Sequence, residues 1–104
     1  MPNNSPAVDE LLQKAMDRIR SHRRLPESTY RLQFHAGFKF RDAAALVPYL
    51  SDLGITHVYA SPYLRATPGS MHGYDVIDHC HLNPELGTSA DYEAFVKALR
   101  DRNM

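Results

Sequence analysis

The sequence predicts an α/β fold built on a parallel strand–helix–strand unit, preceded by an amphipathic helix and incomplete as it stands. Three observations lead there. Thr29-Tyr30-Arg31-Leu32-Gln33-Phe34 alternates and is rich in β-formers, and Ile55-Thr56-His57-Val58-Tyr59-Ala60 is a second such run. Between them Arg41 to Leu53 carries helical periodicity over about three turns, the βαβ order of parallel sheets. After the last helical pattern, which runs to Met104, no further strand pattern follows. Two parallel strands cannot cover both faces of a sheet, so their apolar residues lack partners. The chain therefore divides into an N-terminal extension over 1–28 and the truncated start of a larger domain over 29–104.

Each element has a local reason. Ser5 can cap a helix with Pro6 at its first position, where the missing N–H costs nothing. Val8, Leu11, Leu12, Ala15, Met16 and Ile19 then recur at helical spacing over roughly 6–23. Arg18, Arg20, Arg23 and Arg24 load the end that the helix dipole favours, and Leu25-Pro26-Glu27-Ser28 breaks the pattern. In the second helix Ala44, Leu46, Val47, Leu50 and Leu53 point inward, and Gly54 is the stop. Pro48 lies inside that pattern and should kink it or start a second segment there. A long connection runs from Ser61 to Gly87, rich in Pro, Gly, His and Asp; loops of that length in compact domains are usually functional. Thr88 or Ser89 caps a final helix with Tyr92, Phe95, Val96 and Leu99 on one face.

The bulk numbers exclude several classes. In 104 residues, 12 basic and 12 acidic side chains cancel, leaving no electrostatic footprint for nucleic acid or an anionic membrane. No apolar stretch approaches a membrane span, and the N-terminus lacks the pattern of a secretory signal. A single cysteine, Cys80, cannot form an internal disulfide, which fits a reducing compartment and a cytoplasmic protein.

The chemistry concentrates in Ser70-Met71-His72-Gly73-Tyr74-Asp75-Val76-Ile77-Asp78, a segment without helical or strand periodicity. Tyr74 offers a flat ring on which the C–H face of a sugar can stack. Asp75 and Asp78 offer acceptors for sugar hydroxyls, and His72 offers a donor. The same residues also fit a plain glycine turn at Gly73 whose Asp side chains bond their own backbone, and composition leaves both readings open. His72, His79, His81 and Cys80 could be drawn as a zinc site, but no pair has a typical zinc spacing, and no metal is expected. Asp75 and Asp78, or either with Glu85, could be drawn as the two carboxyl groups set across a scissile glycosidic bond, but Asp75 and Asp78 lie three residues apart on one loop and read better in another role. They orient a substrate or tie the loop down. Ser61-Pro62 lacks the flanking glycines of a nucleophile elbow, and no phosphate-cradling loop is present. Phe34, Phe38 and Phe40 read as core or strand-end packing. Arg65 reads as a solvated charge or a substrate contact.

At this point a resemblance enters. Thr29 to Phe34, then Leu53-Gly54-Ile55-Thr56-His57-Val58-Tyr59-Ala60-Ser61-Pro62, then His72-Gly73-Tyr74-Asp75-Val76-Ile77-Asp78 resemble the opening of the α-amylase superfamily, glycoside hydrolase family 13. Pro68-Gly69-Ser70 and Asn83-Pro84-Glu85-Leu86-Gly87 narrow the likeness to its maltooligosyl trehalose synthase branch, the (1→4)-α-D-glucan 1-α-D-glucosylmutases. It covers roughly residues 29 to 104. The resemblance implies a (β/α)8 TIM barrel with its site at the C-terminal ends of the strands. It implies an isomerase working by retaining, intramolecular transglycosylation without a cofactor: the reducing-end α-1,4 link of a malto-oligosaccharide becomes an α,α-1,1 link, with water held off. Tyr74 is similar to the family's stacking tyrosine, and His72, Asp75 and Asp78 would line or brace that substrate-binding subsite. The family's nucleophile and acid are expected beyond Met104, so no catalytic residue falls in this chain, which by itself would be inactive. The implied partner is an α-1,4-glucan. Alternatives are another hydrolase or glucanotransferase of the superfamily, or a truncated, non-catalytic glucan-binding product. The helix at 6–23 departs from the pattern, since none is expected before the first strand.

Overall fold

A computed structural model describes residues 5–22 and 25–104. Helix α1 spans Pro6–His22, and the Ser5 hydroxyl accepts a hydrogen bond from the Val8 N–H at 3.3 Å, the expected cap. Val8, Leu11, Leu12, Met16 and Ile19 are all exposed, and α1 has no buried residue. Arg23 and Arg24, expected at its basic end, lie outside the described residues.

Strands β1 (Thr29–Leu32) and β2 (His57–Ala60) pair in parallel, with Tyr30 beside Val58 and Leu32 beside Ala60. Helix α2 (Phe40–Asp52) connects them, completing the predicted βαβ unit. Side chains alternate across the sheet. Leu32, Val58 and Ala60 join the core, whereas Arg31 and Tyr59 are exposed on the opposite face. β1 stops two residues short of the prediction. At that point the His35-to-Phe38 turn takes over the backbone bonds, His35 N–H to Phe38 C=O at 3.2 Å and Phe38 N–H to His35 C=O at 2.9 Å.

Two expectations for α2 need correction. Pro48 does not divide the helix, which runs as one element from Phe40 to Asp52. The ring removes one backbone donor, but the flanking Val47 and Leu50 are fully buried and hold the turn in place. Leu53 is not inward; it is 57% exposed because it is already the C-cap residue. Gly54 does end the helix, with φ +93°, and the bonds Gly54 N–H to Ser51 C=O and Ile55 N–H to Leu50 C=O, both 3.0 Å, make the Schellman pair.

The Ser61–Gly87 connection, expected to be irregular, holds an antiparallel hairpin of β3 (Leu64–Ala66) and β4 (Val76–Leu82), then a short 3-10 turn over Pro84–Leu86. Strict alternation is missing because the register slips twice: Arg65 faces Asp78 while its neighbours Leu64 and Ala66 face Leu82 and Val76. Residues 79–81 are thus looped out of the ladder, and a smaller bulge falls at Ile77. Helix α3 (Ser89–Asp101) starts at Thr88 with a reciprocal box: Asp91 N–H to Thr88 Oγ1 at 3.2 Å and Thr88 N–H to Asp91 Oδ2 at 3.0 Å. α3 packs on α2 through Phe95, and Phe34, Phe40, Phe95, Tyr63 and Tyr92 form the aromatic centre. The Phe34 ring lies 5.4 Å from that of Phe40 and 5.8 Å from that of Phe95. Phe34, Phe38 and Phe40 are packing residues, as read from the sequence.

Candidate functional site

The C-terminal ends of β1 and β2 are locked to each other by one buried hydroxyl. Ser61 is fully buried; its N–H donates to the Leu32 carbonyl at 2.9 Å, and its Oγ accepts from the Phe34 N–H at 2.7 Å. Ser61 is thus a structural tie at the strand ends.

The 67–75 segment folds over this end of the sheet. Gly73 has φ +79°, and a Cβ there would lie 2.7 Å from the Pro62 carbonyl oxygen, so the loop backbone rests directly on the residue after Ser61. Inside the loop the Ser70 hydroxyl donates to Asp75 Oδ1 at 2.6 Å and accepts from the Gly73 N–H at 3.1 Å. The Thr67 N–H donates to the Asp75 carbonyl at 3.1 Å. The Gly69 N–H reaches both Glu85 carboxylate oxygens, at 3.1 and 3.2 Å, anchoring the turn to the segment after β4. Glu85 is therefore a brace for the loop.

Within that frame His72, Tyr74 and Asp75 come together. The Tyr74 N–H donates to His72 Nδ1 at 3.0 Å, which places the neutral ring's proton on Nε2. The two rings stack at 6.1 Å with 28° between planes, and Tyr74 is 58% exposed. His72 Nδ1 also lies 3.9 Å from Asp75 Oδ1, but its lone pair is already engaged, so this is proximity and not a hydrogen bond. The Ser70 hydroxyl holds the Asp75 carboxyl below its usual value against the opposing effect of burial, with His72 a weaker electrostatic contributor. Asp75 is thus an ionised acceptor at ordinary pH.

Asp78 is placed differently. It belongs to β4, not to the loop, and its oxygens accept from the Cys80 N–H at 2.9 Å and from His81 Nδ1 at 2.7 Å. Those two bonds, the Cys80 N–H first, lower its pKa and tie the looped-out residues 79–81. Its bonds are to its own strand, whereas His72, Tyr74 and Asp75 form one turn. Arg65 is exposed on β3, opposite Asp78. Among the described residues no three His, Cys, Asp or Glu side chains converge as a metal would require, and no helix is long and apolar enough to cross a membrane.

Sequence reasoning missed Arg31 and Gln33. Arg31 Nη2 donates to Tyr74 Oη at 3.2 Å and its Nη1 to Gln33 Oε1 at 2.7 Å, while Gln33 Nε2 donates to the Met71 carbonyl at 2.9 Å. The signal was present: in an alternating strand, Tyr30, Leu32 and Phe34 make one apolar face and Arg31 and Gln33 a polar one.

An exposed aromatic ring is thus fixed beside a carboxylate and an imidazole N–H at the C-terminal ends of parallel strands, groups whose chemistry suits a ring with one apolar face and several hydroxyls. The family model described as "Alpha amylase, catalytic domain" matches residues 44–104, more than half of the chain. The chain belongs to the α-amylase family. Its β1-α2-β2 unit is a piece of that family's (β/α)8 barrel, the fold class predicted from the sequence, and the 67–75 loop lies at the end of the strands where such barrels keep their active sites. Over 82 residues the chain is 48% identical to a putative maltooligosyl trehalose synthase of Mycobacterium tuberculosis (strain CDC 1551 / Oshkosh), covering 74% of this chain and 11% of that one. The solved maltooligosyltrehalose synthase from Arthrobacter ramosus superposes with a TM-score of 0.73 at 44% identity, over 76% of this chain and 10% of that one. The α-amylase from Geobacillus thermoleovorans, complexed with acarbose, shares the fold alone, with a TM-score of 0.67 at 22% identity over 75% of this chain and 21% of its own. This α-amylase-family chain spans about a tenth of the length of the synthases it matches.

Proposed function

We propose that this chain forms the opening of the barrel of a maltooligosyl trehalose synthase, and that its loop holds a glucose unit of a malto-oligosaccharide at the bond being rearranged. The observation that carries the reading is Tyr74: a half-exposed ring beside the Asp75 carboxylate, on a loop seated on the C-terminal ends of two parallel barrel strands. The likeness to maltooligosyl trehalose synthases at 48% and 44% identity supports this branch of the family. In this reading the sugar's apolar face stacks on Tyr74, His72 Nε2–H and the Asp75 carboxylate hold hydroxyls, and Asp78 braces the strand behind them. The carboxylate nucleophile and the carboxylic acid of the retaining reaction are supplied by parts of the barrel outside this chain. They break the reducing-end α-1,4 link and rejoin the released glucose through its anomeric carbon as an α,α-1,1 link. Cytoplasmic residence belongs to the same reading and is supported by the single exposed Cys80.

The test is incubation of the full-length gene product with maltohexaose. Loss of reducing ends without shorter sugars is the expected result; release of free short sugars would make it a hydrolase instead. Tyr74→Ala should lower kcat/KM by about tenfold or more, from lost stacking and apolar contact. Unchanged turnover would remove the stacking role.

A further inference from the structure

We propose that Arg31 and Gln33 are positioning residues that clamp Tyr74 from the first barrel strand and set the tilt of its ring toward the substrate. The proposal rests on Tyr74 being the stacking residue of the site described above. The segment 71–74 is tied to β1 and its continuation at two points. Its backbone is held at Met71 by Gln33 Nε2, at 2.9 Å, and its side chain at Tyr74 Oη by Arg31 Nη2, at 3.2 Å. The two anchors are joined, because Arg31 Nη1 donates to Gln33 Oε1 at 2.7 Å. That bond also settles the amide: with Oε1 accepting from Arg31, the –NH2 group faces Met71.

A strand is a stiffer base than a loop whose next contact is one hydroxyl and one carboxylate. A tyrosine on an unclamped loop would sample several ring orientations, and ordering it would weaken substrate binding. The planar guanidinium suits this task, since its fork reaches two acceptors at fixed angles, which a lysine ammonium cannot reproduce. Direction also matters. Arg31 donates to the phenol oxygen, so the Tyr74 O–H proton is free to donate outward, toward a sugar hydroxyl. Arg31 therefore acts through Tyr74 in orienting the ring and in choosing which way its hydroxyl points.

The experiment is a mutant cycle in the full-length protein, with kcat and KM for maltohexaose measured separately for Arg31→Met, Arg31→Lys, Tyr74→Phe and the double variant Arg31→Met/Tyr74→Phe. Arg31→Met is expected to raise KM by about fivefold to tenfold with kcat little changed, because the unclamped Tyr74 ring must then be ordered when substrate binds. Arg31→Lys should recover part of that loss. Tyr74→Phe should raise KM similarly, and the double variant should be no worse than about twofold beyond the worse single one, since both substitutions break the same bond. Multiplicative effects, or a loss in kcat at constant KM, would overturn the clamp. The Tyr74→Ala result separates the two levels: if Tyr74→Ala binds normally, the stacking reading itself falls. If Tyr74→Ala loses binding while the cycle is multiplicative, only the clamp falls.

Discussion

Replacing Gly73 with alanine tests how the loop is seated. Two costs add. At φ +79° an L-residue sits in the left-handed region, a cost of about 1–2 kcal/mol. The new methyl would also stand 2.7 Å from the Pro62 carbonyl oxygen. That neighbour is backbone and cannot rotate aside, so the loop or the strand end must move, adding about 1–3 kcal/mol, the usual cost of overpacking. Gly54→Ala is the internal control: its φ is +93°, but nothing lies within 4 Å of the place its methyl would take, so only the first cost applies. The assay is urea denaturation of the full-length protein for both variants, with maltohexaose binding measured alongside. Gly73→Ala should be the less stable by about 1–3 kcal/mol and should also lose affinity, because Tyr74 is the next residue. Equal destabilisation of the two variants, with binding intact, would refute the close approach to Pro62 as the device that seats the loop.

Two further outcomes follow from named bonds. Ser61→Ala should cost about 1–3 kcal/mol in urea denaturation, because the buried Phe34 N–H loses its acceptor; an unchanged midpoint would show that the hydroxyl is not the tie between the strand ends. Asp78→Asn should remove an acid-sensitive contribution. The Asp78 carboxyl is held below its ordinary value by the Cys80 N–H and His81, so its stabilisation is present above the unfolded carboxylate pKa of about 3.9 and is lost as pH falls through the lower folded value. Thermal melts between pH 2 and pH 7 should show the wild type more stable than Asp78→Asn at neutral pH, with the gap closing below about pH 4. A gap that is constant with pH would mean that the carboxylate charge plays no part.

The βαβ unit was legible because its signals are local. Alternation in 29–34, helical spacing through Val47 and Leu50, and Gly54 as a left-handed stop all act within a few residues. So were the cap at Thr88 and the aromatic core, since Phe34, Phe40 and Phe95 each lie on an apolar face that has to be buried. Pro48 misled as a helix break because its local penalty is real and is outweighed by burial on either side of it, a tertiary effect. The β3–β4 hairpin was hidden because its two register slips erase the period of two from which a strand is read, and the bulge at 79–81 turns what looks like a polar loop into a strand held by Asp78.

The candidate site divides in the same way. By itself the sequence determined which groups are available: Tyr74, His72, Asp75 and Asp78 are there to be read, as is the glycine that permits the turn. Only the tertiary structure decided which of them meet. Asp78 turns back onto its own strand, His72 and Asp75 flank Tyr74, and Arg31 and Gln33, some forty residues away in the chain, reach the same ring and loop. The physical reason is that residue chemistry is written position by position, whereas the geometry of a site is set by contacts between segments far apart in sequence. Here those contacts run through the buried Ser61 tie and the close approach of Gly73 to Pro62.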